Sequence, residues 1–261
     1  MTKRVVCAGD SNTRGQYGVG YVPILTERLC GGDVTVTAAG VNGDCSFDLL
    51  RRLDSIIALA PDVVTVLIGT NDAWCTLSEA NARRMMKRKK LPEAPTLSRF
   101  RDHLQTIAVR LSAETDARIA LVSPPVLGQD LDGPATRAGA EFSEAIKEVA
   151  AQHDLAYLPL HERQCETLRC SGVKALPFPG GLLQRYTSVL QHYLLGRSYD
   201  GIARRRGLVL TSDHVHQNSR GAAMIADLIE GFLHQALTQC RADIAKLTVD
   251  SCTTRLEHPT A

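Results

Sequence analysis

Four short polar clusters in this sequence hold groups able to do chemistry. Gly9-Asp10-Ser11-Asn12-Thr13 offers a serine hydroxyl, and Asp213-His214-Val215-His216-Gln217-Asn218 offers two imidazoles beside a carboxylate. Between them in the chain, Gly40-Val41-Asn42-Gly43-Asp44 and Gly69-Thr70-Asn71-Asp72 offer unhindered glycine backbone and side-chain amides. A serine hydroxyl is inert near neutral pH until a base takes its proton. Acyl transfer from an ester also needs donors aimed at the oxyanion that develops. Alone, each cluster is ordinary: Gly-Asp-Ser is a common turn, Asn-Asp after a strand is usual loop chemistry, and a single late histidine is most often structural. Their meaning rests on the elements that place them.

Five apolar runs read as strands: Arg4–Ala8, Asp33–Ala38, Asp62–Ile68, Arg118–Ser123 and Leu155–Leu160. Most are rich in Val, Ile or Leu, as strands covered on both faces should be. Helix-period segments lie between them. One is capped by Ser46 and carries Phe47, Leu50, Leu53 and Ile57 until Pro61 stops it. A second starts at Thr96 or Ser98 with Phe100, Leu104, Ile107 and Leu111, and a third spans Ala138–Gln152 with Phe142, Ile146 and Val149. Alternation of this kind predicts a three-layer α/β/α domain around a flavodoxin-like parallel sheet of five strands. In such sheets ligands sit at the carboxyl ends of the strands, and three clusters stand there while the fourth precedes the last helix, from Ser219 to the late 230s. One domain is expected over 1–240, with a loose tail over 241–261.

Two stretches break the alternation. Leu77–Pro95 holds the basic run 83–90, whose plainest reading is a solvated face; the sharper one is attraction of an anionic substrate or surface. Cys165–Leu208 opens with Pro177-Phe178-Pro179-Gly180-Gly181. An amphipathic helix follows, with Leu182, Leu183, Tyr186, Val189, Leu190, Tyr193 and Leu194 on one side. That stripe reads first as a buried helix face, then as a substrate-covering lid just before the last catalytic block, then as an oligomer contact.

Composition narrows the function. The chain has 261 residues, 44% hydrophobic and 22% charged, with 30 basic residues against 28 acidic ones and a net charge of +2. These values fit a globular protein and give no global case for nucleic acid; the basic run also lacks interleaved aromatics, so no nucleic-acid partner is expected. No apolar stretch has the length of a membrane span, so no integral membrane association is expected. The apolar run behind Met1 ends at Gly9-Asp10, too short for a signal-peptide core, so a cytoplasmic protein is expected. The eight cysteines are scattered and contain no C-x-x-C, which favours reduced thiols. His161, Cys165, Cys170 and His192 lack ligand spacing, and no metal or other cofactor is expected.

Together and in this order, the four clusters resemble the SGNH branch of the GDSL esterases and lipases, named for a Ser, a Gly, an Asn and a His in four blocks. The resemblance covers roughly residues 4–160 and 209–235. It implies a serine esterase that cleaves acyl esters through an acyl-enzyme, with Ser11 as nucleophile, His216 as base and Asp213 orienting the imidazole. It further implies an oxyanion hole from the backbone N–H groups of Ser11 and Gly43 and the amide of Asn71. The chain departs from the family pattern at Ala38, where Asn is frequent, and at His214 and Gln217, where Gly and Pro are usual. His216 fits the family spacing and His214 does not; Asp10 is given no chemical step. Short acyl esters are the expected substrates, of small-molecule or lipid-like form. Transfer to an alcohol or sugar, a lysophospholipase-type lipase, and a binding protein on a retired hydrolase scaffold are the other readings. There is no G-x-S-x-G elbow, no G-x-G-x-x-G and no Walker loop to support a different chemistry. Pocket candidates are Trp74, by its closeness to Asn71, and Leu183, Tyr186 and Leu190 on the amphipathic helix.

Overall fold

The computed structural model describes the backbone of residues 2–180 and 183–253, and side chains up to 236. Five strands form one sheet: β1 (Lys3–Gly9), β2 (Val34–Gly40), β3 (Val63–Leu67), β4 (Arg118–Val122) and β5 (Ala156–Leu158). All pair in parallel, in the order β2-β1-β3-β4-β5. This is the doubly wound order, and it leaves a crevice where connections leave β1 and β3 in opposite directions.

Alternation along the strands sorts side chains to two cores. Val6, Ala8, Val64, Val66, Ile119 and Leu121 face one layer of helices: α3 (Ser46–Arg51), α4 (Leu53–Ile57), α7 (Leu97–Glu114) and α8 (Pro134–Gln152). Val5, Cys7, Val63, Leu67, Ala120 and Val122 face the other, built from α2 (Tyr21–Arg28), α9 (Leu160–Cys170) and α12 (Ser219–Thr253). Strands β1, β3 and β4 are therefore covered on both sides, which is why their sequences are nearly all apolar. The remaining helices crowd the carboxyl edge: α1 (Ser11–Arg14), α5 (Thr70–Thr76), α6 (Glu79–Lys89), α10 (Leu183–Leu195) and α11 (Tyr199–Arg205).

Several boundaries differ from those read in the sequence. Ser46 is not the cap of its helix; Cys45 holds that position, and the Asp48 carboxylate accepts the Cys45 N–H at 3.1 Å. Residue Thr96 does cap α7, its side chain accepting from Arg99 N–H. Helix α8 starts at Pro134, earlier than Ala138, because proline suits the first helical turn. Strand β5 is only three residues, cut short by Pro159. Helix α12 runs on to Thr253, so the first part of the expected tail is helical; 254–261 lie outside the described residues.

The largest difference concerns α10. Its stripe faces outward: Leu183, Tyr186, Leu190, Tyr193 and Leu194 are each more than half exposed, and Leu182 lies outside the described residues. The face turned to the protein is the small and polar one. Arg206, half-buried just after α11, donates to Ser188 Oγ (2.6 Å), Thr187 Oγ1 (2.8 Å), Gln184 O (3.1 Å) and Ser212 O (2.8 Å). One guanidinium thus ties α10 to the loop that carries His216. Charge-assisted bonds are worth about 1.5–3 kcal/mol each, so Arg206→Met should loosen α10 selectively. Proteolytic cleavage within 183–199 should accelerate by about tenfold or more, while the urea midpoint of the whole chain moves little. Cleavage at the parent rate would show that α10 is held by other contacts.

Candidate active site

Ser11 opens α1, directly after β1. Asp10 caps this turn by accepting Asn12 N–H at 2.9 Å, which fixes the backbone that carries the hydroxyl. Ser11 Oγ lies 3.0 Å from His216 Nε2, although 205 positions separate them. On the other side of the ring, His216 Nδ1 is 2.7 Å from Asp213 Oδ2. Asp213 Oδ1 accepts the backbone N–H groups of Val215 (3.0 Å) and His216 (2.7 Å). Burial pushes the Asp213 carboxyl upward, but His216 and the two N–H donors outweigh it and hold the group below its ordinary value. An ionised Asp213 accepts the proton on Nδ1, which leaves Nε2 unprotonated and directed at the serine. This arrangement can remove a proton from Ser11 and return it to a leaving group.

His214 is set apart by its backbone. Its φ is +70°, in the left-handed region that glycine occupies with ease, so the side chain is thrown off the Asp213 turn. Its ring meets Phe178 edge-on at 6.2 Å, away from Ser11. The left-handed residue is what separates the two histidines.

The loop before α2 braces His216, and sequence reasoning missed it. Tyr17 packs edge-to-face on the His216 ring at 5.3 Å, and Val19 N–H donates to Gln217 O at 2.8 Å. Gly18 allows this closeness, since a Cβ there would stand 2.5 Å from Gln217 O and 3.0 Å from His216 Cβ. The signal available was the glycine density at 15, 18 and 20, which marks a tight loop and not a nucleotide site.

Asn71 lines the same cleft as His216. Among the described residues, neither Ser11 N–H nor Gly43 N–H donates to another group. The Asn71 amide donates to Asp44 O (3.0 Å) and, at 3.3 Å, to Asp10 Oδ2. Asp10, given no role beyond the turn, therefore also orients Asn71. Asp44 is gripped by Arg52 (2.7 Å) and by Lys89 of α6 (2.6 Å). Behind it Asp72 is fully buried, accepting from Ser46 N–H at 3.0 Å and Ser46 Oγ–H at 2.7 Å. Burial raises both inner acids, Asp10 to about 6 and Asp72 to about 7.

A cleft of about 530 Å³, open mouth included, adjoins His216 and Asn71. Its walls are Thr70, Trp74, Met85 and Val215 together with Arg84, Arg88 and Arg185. Trp74 lines it as expected, but its indole N–H donates to Gly180 O at 3.0 Å and is not left for an ester oxygen. Leu183, Tyr186 and Leu190 do not wall the cleft; they are exposed, and Arg185 reaches in from the same helix. Within the basic run Arg83, Arg84, Lys87, Arg88 and Lys90 are exposed, as a solvated face should be, and Arg84 and Arg88 also border the cleft. His161, Cys165, Cys170 and His192 stay apart: among the described residues no three ligating side chains converge, and His192 stacks on Tyr199 at 4.2 Å. Among the described residues, no helix is long and apolar enough to cross a membrane.

The sheet order is that of a flavodoxin-like α/β fold, and Ser11 stands at its switch point beside His216 and Asp213. The chain belongs to the GDSL-like Lipase/Acylhydrolase family, whose pattern matches residues 7–178 of the 261. Family membership supports a hydrolase acting on acyl esters. That match ends before Asp213, so the last block is placed by geometry. No curated protein sequence matches the chain. Among solved structures, an acetylxylan esterase from Geobacillus stearothermophilus has a TM-score of 0.63 at 18% identity, covering 90% of this chain and 94% of that one. It is also solved as catalytic mutants of a serine, an aspartate and a histidine, the last two three positions apart. A lipase/acylhydrolase from Enterococcus faecalis has a TM-score of 0.56 at 22% identity, covering 87% of this chain and 93% of that one.

Two outcomes follow from this geometry. Gly18→Ala should push the Gln217 carbonyl and with it the imidazole; a displacement near 1 Å costs about a hundredfold in kcat. Unchanged kcat would free the Tyr17 loop from any part in holding His216. The second outcome concerns Asp72. Unfolded, its carboxyl titrates near 3.8, and folded it keeps its proton to about 7. The folded state therefore binds more protons between those values, and this group's contribution to stability falls as pH rises through the window. Urea denaturation of Asp72→Asn against the parent should show the difference moving in the variant's favour from about pH 4 to about pH 8. A difference independent of pH would mean the buried acid is ionised throughout.

Proposed function

We propose that this chain is a serine esterase that hydrolyses acyl esters through an acyl-enzyme on Ser11. The observation that carries the reading is the continuous relay from Ser11 Oγ to His216 Nε2 (3.0 Å) and from His216 Nδ1 to Asp213 Oδ2 (2.7 Å). Ser11 attacks the ester carbonyl while His216 takes its proton, and the imidazolium then protonates the leaving alcohol. Water enters on the same path in reverse and releases the acid, with Asp213 holding the ring throughout. The oxyanion forms against Ser11 N–H, Gly43 N–H and the Asn71 amide, which needs only to turn from its 3.3 Å bond to Asp10 Oδ2. Donors of this kind are each worth about 3–4 kcal/mol in the transition state.

The acetylxylan esterase of similar fold lends support, because its catalytic Asp and His have the three-residue spacing of Asp213 and His216. Short acyl groups suit the cleft, which Trp74, Met85 and Arg88 narrow beside Asn71.

Turnover of p-nitrophenyl acetate and labelling by a fluorophosphonate test the assignment. Ser11→Ala should abolish labelling and lower kcat by about four to six orders of magnitude, with His216→Ala costing about as much. His214→Gly, which relaxes a left-handed residue and removes no relay member, should keep activity within a few fold. A lethal His214→Gly beside a tolerated His216→Ala would overturn the assignment, and loss of neither activity nor labelling in Ser11→Ala would overturn the esterase reading itself.

A further inference from the structure

Helix α6 carries Arg84 and Arg88 one turn apart, so both lie on a single face with Met85 between them, and that face forms a wall of the cleft. Arg185 enters from α10. Among the described residues, none of the three has a carboxylate partner. The one hydrogen bond of Arg88 among the described residues goes to Met85 Sδ at 3.5 Å, and Arg185 lies over the rings of Tyr17 (5.7 Å) and Tyr186 (5.3 Å). Two other cations of α6 are paired, Arg83 with Glu79 at 3.3 Å and Lys89 with Asp44 at 2.6 Å, while Lys87 is exposed and does not line the cleft. Among the described residues lining the cleft, the one acid is Asp213, already engaged with His216. Arg84 and Arg88 are exposed and Arg185 partly so, and three like charges bordering one opening attract an anion to it.

The position of Arg88 sharpens this. A Cβ on Gly43 would stand 1.7 Å from Arg88 Nη2, so the guanidinium lies against the glycine assigned to the oxyanion hole in the reading above. Gly43 has φ +75° as well, a backbone conformation that favours glycine. The charge is thus held within reach of any group attached close to the reacting carbonyl. Guanidinium forks match carboxylate and phosphate oxygens in pairs, which neutral sugar or alkyl esters do not offer.

We propose that the ester taken by this cleft carries an anionic group, a carboxylate or phosphate close to the scissile bond, and that Arg84, Arg88 and Arg185 select it. The proposal rests on the esterase reading above and adds the charge of the substrate. The anion neutralises the cluster, and the guanidiniums orient the ester so that its carbonyl meets Ser11. Apolar contact with Trp74 and Val215 accommodates the uncharged part.

The test compares kcat/KM for charged and neutral esters of equal size in two arms. One arm sets p-nitrophenyl hemiglutarate against p-nitrophenyl valerate, placing the anion on the acyl side. The other sets acetyl-glycerol phosphate against monoacetylglycerol, placing it on the alcohol side. In one arm the charged ester should be preferred by about tenfold or more at low salt, with the preference shrinking as ionic strength rises. Arg84→Gln, Arg88→Gln and Arg185→Gln should each lower the charged-to-neutral ratio by about tenfold, and Arg88→Lys should lower it less. Binding is read separately in Ser11→Ala through the fluorescence of Trp74, the chain's single tryptophan, titrated with glutarate and with glycerol phosphate. One of these anions should bind, and the Arg88→Gln change should abolish that binding. Equal rates in both arms, with neutral ester cleaved and neither anion bound, would overturn the anionic selection and leave the esterase reading intact. Binding of the anion without cleavage of any ester would keep the selection and sink the esterase reading.

Discussion

A buried negative charge governs this molecule's working edge. Asp213 is closed off from water, and an ionised carboxylate in such a place is stable only when its oxygens are fully engaged. The turn that follows supplies what is needed, with two backbone N–H groups on one oxygen and the His216 ring on the other. The tautomer of His216, the direction of Nε2 and the approach to Ser11 all derive from that arrangement. Between the Asp213 carboxylate and the N–H groups it holds, the chain passes through the left-handed region at His214.

Electrostatics is layered outward from there. Innermost are acids that burial renders reluctant to ionise, Asp10 and Asp72, which serve as hydrogen-bond anchors for the Ser11 turn and for Ser46. Next comes Asp44, neutralised by Arg52 and Lys89 and passing its own carbonyl to Asn71. Outermost are the guanidiniums of Arg84, Arg88 and Arg185. A parallel sheet makes this nesting possible, because every strand delivers its loop to one edge and the helices there close over it.

Much of this was legible in the chain. Strands covered on both faces announce themselves as unbroken apolar runs, and the D-x-x-H turn is local enough that its likeness to the family's spacing singled out His216 over His214. What stayed hidden depended on orientation. The stripe of α10 looks like a buried face because a row of Leu and Tyr normally seeks cover. Nothing in those letters says that Ser188, gripped by a distant Arg206, turns the opposite side inward. The basic run reads as one block, whereas the helix splits it by angle: Lys89 toward Asp44, Arg83 outward to Glu79, Arg84 and Arg88 along the border of the cleft. Tyr17 escaped notice because its partner, His216, is contacted across nearly the whole chain.

That long separation has a consequence for how activity arises during folding. Ser11 and His216 stand 205 positions apart, and α12, which follows the histidine loop, completes the core on the α2 side of the sheet. Contacts that span so much chain form late, since the loop they close is costly in entropy until the intervening elements are in place. A nascent or partly refolded chain can hold β1, β3 and the Ser11 turn while its hydroxyl has no base. On the esterase reading proposed above, Ser11 is dormant by topology until the C-terminal segment docks, and the onset of turnover would time that docking.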